Sequence, residues 1–443
     1  MANIKFTAIL YKTIVFVFIL LGTWACSDSK REPDVASTLL QKLNEIDGVV
    51  ASKKSSPFVG YDYYALEVTQ PLDHDAADGD SFSQKMRLYI KDIDNPLVLH
   101  TAGYMLSGEA QARLLEPTSL FGANQLDVEH RYFGESAPDE MEWDYLNIRQ
   151  ASADLHRIIT LLKPLLGGKW LSSGHSKGGM TAVFHRRFYP EDVDGTLAYV
   201  APLFNAVWDE RFAEYSQQVV SSECLTDFKN FQLAALDKLD ELTVMFEQWA
   251  SDANVTIADY GYTPKQRMEA EIVFSWIYVA THVPDMGCGQ LPPTDATAQT
   301  YFDILKGISQ FSDQTAEALT EMLPYHMQAA TELGNYSVPL THLQERLSFD
   351  VTDFSMLILD QPMPLFKPEI MMDIQEWAQT EARRIIFVYG EQDYTTAATF
   401  PVVTDPSREL QRHIAAGLHS IQIESLPEDE KALVMTTLES WLK

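Results

Sequence analysis

The chain has little cysteine and little positive charge. Three cysteines in 443 residues exclude a small disulfide-built scaffold. There is no Cys/His cluster and no H-E-x-x-H run, so neither a metal nor any other cofactor is expected. Lys and Arg number 33 against 63 Asp and Glu, a formal charge of −30. That balance argues against nucleic-acid partners, whose phosphates need clustered cations. Internal repeats and low-complexity blocks are absent, and the apolar run Ile14 to Leu21 is too short for a membrane span. What remains is 46% hydrophobic and 11% aromatic, the composition of a folded globular protein. The length exceeds one compact core and implies two domains or one large domain with an insertion.

Lys5 and Lys12 precede that apolar run, and small and mixed residues follow it up to Cys26. This is the layout of an export signal over 1–25. Thr23-Trp24-Ala25-Cys26 is similar to a bacterial lipobox, although Thr23 and Trp24 depart from the usual pattern. Cys26 would then be lipidated and anchor the protein to an outer membrane or cell surface; an ordinary secretory signal is the alternative, giving a periplasmic or secreted protein. Residues 26–59 read as a lipid-anchored tether and N-terminal segment. Cys224 and Cys288 are left as an even pair suited to an oxidising compartment, either bonded or as two buried thiols.

Sheet-like patterning fills 60–204. Residues 64–68 and 85–90 alternate, suggesting an antiparallel pair, and 96–100 is a continuous apolar run expected to be a buried strand. Strands at 125–129, 169–173 and 195–201 alternate with helical patterns at 144–165 and 180–188, which implies a mostly parallel sheet. From 205 to 345 helical periods dominate, at 225–250, 264–280, 298–310 and 313–333, reading as an inserted helical cap. Sheet texture returns within 346–443, with a strand at 382–390 and a last helix at 427–442 expected to turn Leu433, Leu438 and Trp441 inward.

One motif organises this pattern. Gly174-His175-Ser176-Lys177-Gly178 matches G-x-S-x-G and lies between a short strand and a helix. That setting lifts a serine above a parallel sheet in α/β-hydrolases, and the flanking glycines let the chain turn sharply. A serine hydroxyl needs a base, and the base needs an orienting acid. The chain order of this fold is serine, acid, histidine. Asp393, at the end of the late strand, is the candidate acid, with Glu391 its nearest competitor. His419, in a small-residue loop before the final helix, is the candidate base over His413, which reads as a strand residue. The oxyanion donors would be the Lys177 N–H and one from Gly103 or Tyr104, after the 96–100 strand.

Residues 173–182, followed by His185-Arg186-Arg187-Phe188-Tyr189-Pro190, resemble the nucleophile region of the secreted prolyl tri- and tetrapeptidyl aminopeptidases of the actinomycete mycelium type. Residues 128–136, Val-Glu-His-Arg-Tyr-Phe-Gly-Glu-Ser, are similar to a second signature of that family, shared more loosely by lysosomal prolyl carboxypeptidases. Residues 100–104, Tyr199-Val200-Ala201-Pro202 and the Asp393 and His419 loops match as well, and the resemblance runs from about 60 to 443. It implies a Ser176–Asp393–His419 triad that cleaves a few residues from a free peptide N-terminus, often after proline. An aminopeptidase needs a carboxylate to meet the substrate's α-ammonium. Glu271, one helical turn from Phe274, is the candidate, with Asp209 and Glu210 as alternatives. Within Glu129-His130-Arg131 an internal Glu/Arg scaffold is expected rather than catalysis. Two rivals stand beside this reading: a lipase or esterase with the same triad, and a catalytically inactive lipoprotein that binds peptide or glycan.

Overall fold

The computed structural model describes residues 35–76, 78–282, 291–308 and 311–443. Cys26 and Cys288 lie outside them. Nine strands form one sheet: β1 Val49–Lys54, β2 Asp62–Pro71, β3 Ser81–Ile90, β4 Leu97–Thr101, β5 Asn124–Val128, β6 Trp170–His175, β7 Gly195–Tyr199, β8 Ile385–Gly390 and β9 Leu410–Ala415. Their spatial order is β1-β2-β3-β5-β4-β6-β7-β8-β9. The first three strands and the β3–β5 pair are antiparallel, with Tyr64 opposite Leu88; every pairing from β5 through β9 is parallel. The helices before β8 are α1 Val35–Asn44, α2 Glu116–Phe121, α3 Ile148–Leu162, α4 Lys177–Phe188, α5 Glu210–Ser216, α6 Ser222–Asp237, α7 Leu239–Ala253, α8 Pro264–His282, α9 Ala298–Ile308, α10 Ala316–Gln328 and α11 Glu369–Thr380; α12 Glu428–Leu442 ends the chain.

The strand order sets the site. From β4 the chain crosses through α2 to β5 on one side; from β5 it returns over β4 through α3 to β6, then continues outward through α4 to β7. The loops leaving β4 and β6 therefore diverge, and a crevice opens at their carboxyl ends, where open α/β sheets bind ligands. Strands β4 to β8 are buried almost throughout; β4 and β8 are mostly apolar, whereas β5 and β6 also bury Asn124, Gln125, Asp127, Ser172 and Ser173. Between β7 and β8 the chain leaves the sheet to form α5–α10, whose core includes Phe231, Leu242, Phe246, Ile272, Tyr301 and Leu305. This is an α/β-hydrolase fold with a mostly parallel sheet and an inserted helical cap.

Two expectations need correction, and one strand was not anticipated. In the N-terminal segment before residue 60, α1 buries Leu39 and Leu43, and β1 pairs with β2 as an edge strand. It escaped notice because β1 buries only Val49 fully and shows no alternation. The period over 225–250 belongs to two helices, since Lys238 (φ −106°, ψ 11°) ends α6 and begins α7. Both halves face the same core, so the apolar rhythm survives the break. Leu433 points outward at 52% exposure, and Val434 takes its place with Leu438, Trp441 and Leu442. These sit at i, i+4, i+7 and i+8 from Val434, one helical face that Leu433 misses. No helix among the described residues is long and apolar enough to cross a membrane.

A buried ion pair fixes the loop after β5. Arg131, fully buried, meets Asp154 of α3 through Nε (2.7 Å) and Nη2 (2.8 Å) and donates to the Leu72 and Tyr145 carbonyls. His74 Nε2 closes on the same carboxylate at 2.7 Å. Glu129 accepts from the Leu106 and Glu135 amides and from Ser136 Oγ, bracing the loop after β4. Removing one partner strands a buried charge, which costs about 3–5 kcal/mol. Asp154→Asn should therefore lower the urea midpoint markedly without changing the slope; an unchanged midpoint would show that the pair does not hold this corner.

Candidate active site

Ser176 follows β6 and sits at φ 53°, ψ −124°, a conformation that side chains disfavour. Two hydrogen bonds hold it there: its N–H donates to Tyr199 O and its carbonyl accepts from Met180 N, both at 2.9 Å. The Met180 bond is the first of α4, so the Lys177, Gly178 and Gly179 amides precede the helical ladder and present its positive end. The turn needs glycine for close approach. Gly103 has φ +79°, and a Cβ there would stand 2.5 Å from Gly178 N. Thr101 Oγ1 ties the two segments, donating to Gly178 O at 2.7 Å.

Asp393 follows β8, fully buried, and caps the short 3-10 turn Tyr394–Ala398. One carboxylate oxygen accepts from Thr395 N at 3.1 Å, while the other accepts from Thr395 Oγ1 and lies 2.9 Å from His419 Nδ1. With Nδ1–H directed at the carboxylate, His419 Nε2 carries the lone pair. Ser176 and His419 line one cavity of about 390 Å³. The competitors stand elsewhere. Glu391 is exposed, and His413 is engaged by Glu430 (2.6 Å) and Gln411 (3.0 Å).

The same cavity is lined by Tyr104, Trp208, Tyr325, Tyr336 and Tyr394, and by Glu271 and Phe274 from the cap. Trp208 and Phe274 stack at 6.2 Å, and Tyr336 meets Tyr394 edge-on at 5.2 Å. Glu271 is 2% exposed and accepts from Gln314 Nε2 at 3.1 Å. Asp209 and Glu210 are not among the lining residues. The Asp209 carboxylate is taken up by Arg211, with its shortest contact 2.6 Å, and by the Asn205 amide. Glu210 is exposed and borders a separate cavity beyond Trp208 and Phe274. Cys224 is disulfide-bonded.

Sequence reasoning missed several groups. Asp313 lines the cavity from the turn before α10. His326, on α10, has a buried Nδ1 without a hydrogen-bond partner, and burial pulls its pKa down to about 4, so it is neutral. His175 is likewise pulled to about 3 by burial and stacks on Tyr199 at 4.3 Å. The Lys177 side chain is only 3% exposed; its Nζ reaches Gly103 O at 2.5 Å and lies over the Tyr104 and Phe133 rings. A lysine directly after the nucleophile, between a buried strand and a buried helix, was the available signal for its side chain. Among the described residues no group of three or more His, Cys, Asp or Glu is placed to hold a metal.

The sequence matches the family described as PS-10 peptidase S37 over residues 32–442. It is 32% identical over 392 residues to the prolyl tri/tetrapeptidyl aminopeptidase of Streptomyces mobaraensis, covering 88% of this chain and 82% of that one. A stretch of 88 residues is 38% identical to the lysosomal Pro-X carboxypeptidase of Homo sapiens, covering 17% of this chain and 18% of the other. Among solved structures, the proline iminopeptidase of Mycobacterium smegmatis is similar with a TM-score of 0.40 at 15% identity, over 88% of this chain and 98% of that one. The family match takes in the sheet, the cap and both ends of the cavity: the chain belongs to the PS-10 peptidase S37 family and is a serine peptidase.

Proposed function

We propose that the enzyme releases short peptides, of three or four residues, from free N-termini, often after proline. Ser176 attacks the carbonyl, and His419 takes its proton and passes it to the leaving amine. Asp393 holds the imidazole and stabilises its charged form. The Lys177 and Tyr104 amides, with Gly103 shaping the loop, receive the oxyanion. The observation that carries the reading is a single cavity bounded by Ser176 and His419 at the sheet and by the buried carboxylate of Glu271 in the cap. A peptide bound with its scissile bond at Ser176 would extend its α-ammonium toward that carboxylate, across an aromatic lining suited to proline. No cofactor enters the scheme.

A serine-directed phosphonate is expected to label Ser176, and Ser176→Ala to lower kcat by roughly 10⁴- to 10⁶-fold with an unchanged melting curve. Labelling elsewhere would sink the assignment. A charge-assisted pair contributes about 1.5–3 kcal/mol. Acetylating the substrate amine should therefore cut kcat/KM by roughly 10- to 200-fold. Glu271→Gln should harm free peptides far more than acetylated ones. Equal cleavage of both substrates would exclude amine recognition and favour an esterase or endopeptidase, and a wild-type-like Glu271→Gln would move the anchor to Asp313.

The protein is further proposed to be exported and anchored through lipid on Cys26, with Cys224 paired to Cys288. Cys26→Ser should release it from the membrane fraction and abolish metabolic lipid labelling; a soluble, unlabelled wild type contradicts the anchor.

A further inference from the structure

The geometry points to the Lys177 side chain as a positioning residue that aims the second oxyanion donor. The inference rests on the oxyanion reading above and adds a role that the G-x-S-x-G motif does not require of this position. Lys177 Nζ donates to Gly103 O at 2.5 Å. That oxygen and the Tyr104 N–H belong to one peptide unit, which is planar and trans, so its C=O and N–H point in opposite directions. Anchoring the oxygen on Nζ therefore fixes where the Tyr104 N–H points. A donor so placed also withdraws electron density from the carbonyl and makes the N–H at the other end of the same unit a stronger donor.

The anchor is itself rigid. Nζ lies 4.9 Å from the Phe133 ring centroid and 5.2 Å from that of Tyr104, both within cation–π range. The following peptide is pinned as well, since the Tyr104 carbonyl accepts from His130 N at 3.1 Å. Left to itself, the Gly103–Tyr104 peptide would turn easily, because Gly103 lacks a Cβ and sits at φ +79°. Burial pulls the Lys177 ammonium down to about 7, against the attraction of the buried Glu332 carboxylate. The same burial raises Glu332 to about 7. Either form of the amine donates the hydrogen bond to Gly103 O, and the ring contacts add their attraction in the charged form. One residue thus supplies both halves of the site: its backbone N–H at the start of α4, and its side chain to set the donor across the crevice.

The test uses Lys177→Met, which keeps the buried volume and removes the donor, and Phe133→Leu, which weakens the hold on Nζ while leaving it in place. Each is assayed with a peptide substrate, a peptidyl trifluoromethyl ketone that forms a tetrahedral adduct on Ser176, and a product-like peptide. Removing one whole oxyanion donor costs about 10²–10³ in kcat, so misaiming one should cost about 10- to 100-fold. Lys177→Met should show that loss in kcat with KM within threefold. The ketone should weaken by a similar factor and the product peptide should bind unchanged. Phe133→Leu should show a smaller loss of the same kind. Ketone affinity equal to wild type in a folded Lys177→Met, or a loss confined to KM, overturns the role of the lysine. If Lys177→Met does not fold, wild-type kcat and ketone affinity in Phe133→Leu overturn it instead. A wild-type enzyme that binds the ketone no better than the product peptide overturns the oxyanion reading itself.

Discussion

The site depends on how closely the first turn of α4 approaches the end of β4. Two backbones meet there with almost no side chain between them. Gly178 lies against Thr101 and Ala102, Gly103 lies against Gly178, and the Thr101 hydroxyl bridges to the Ser173 and Gly178 carbonyls. A methyl group at any of these glycines would push the helix away from the strand. The strained serine, the exposed amides at the helix start and the loop that faces them all follow from this contact. The strain at Ser176 is tolerated because neighbouring hydrogen bonds over-determine its position.

Near that contact two cations stand where water barely reaches. Arg131 and Lys177 are buried in a chain with almost twice as many acids as bases. Arg131 is matched by a carboxylate in two-point geometry, whereas Lys177 is held by a carbonyl and two aromatic faces. These are two ways of compensating desolvation: the first locks a corner, and the second leaves the ammonium weakly committed, as its depressed pKa reflects. The neighbouring histidines His130, His175 and His326 are all driven toward neutrality by burial.

The core and its motif were legible because their signals are local. A run such as 96–100 reads as a buried strand whatever surrounds it, and a serine between two glycines after a strand carries its own geometry. The cap was legible as texture only. Its helices repeat an apolar period, but which face meets the cavity depends on how six helices pack, and no local pattern records that. Asp209 and Glu210 illustrate the limit: both were reasonable carboxylates by position, yet an arginine two residues on captures the first, and the second borders another cavity. Asp313 and His326 reach the cavity through tertiary packing alone. The edge strand β1 was missed for a related reason, since a strand exposed on most of its length shows no alternation to read.

The placement of the cap between β7 and β8 has a consequence for the order of assembly. These strands are hydrogen-bonded neighbours, Thr196 opposite Ile385 and Tyr199 opposite Val388, although the whole cap separates them in sequence. Condensation of the intervening chain on its own core, which Phe231, Leu242, Phe246 and their neighbours provide, shortens the loop that must be closed and lowers the entropy cost of closing it. Ser176 is synthesised early in the chain, whereas Asp393 and His419 follow β8 and β9. Under the proposed triad, the serine has neither partner until those last strands dock. On that reading, topology alone withholds proteolytic competence from the nascent chain.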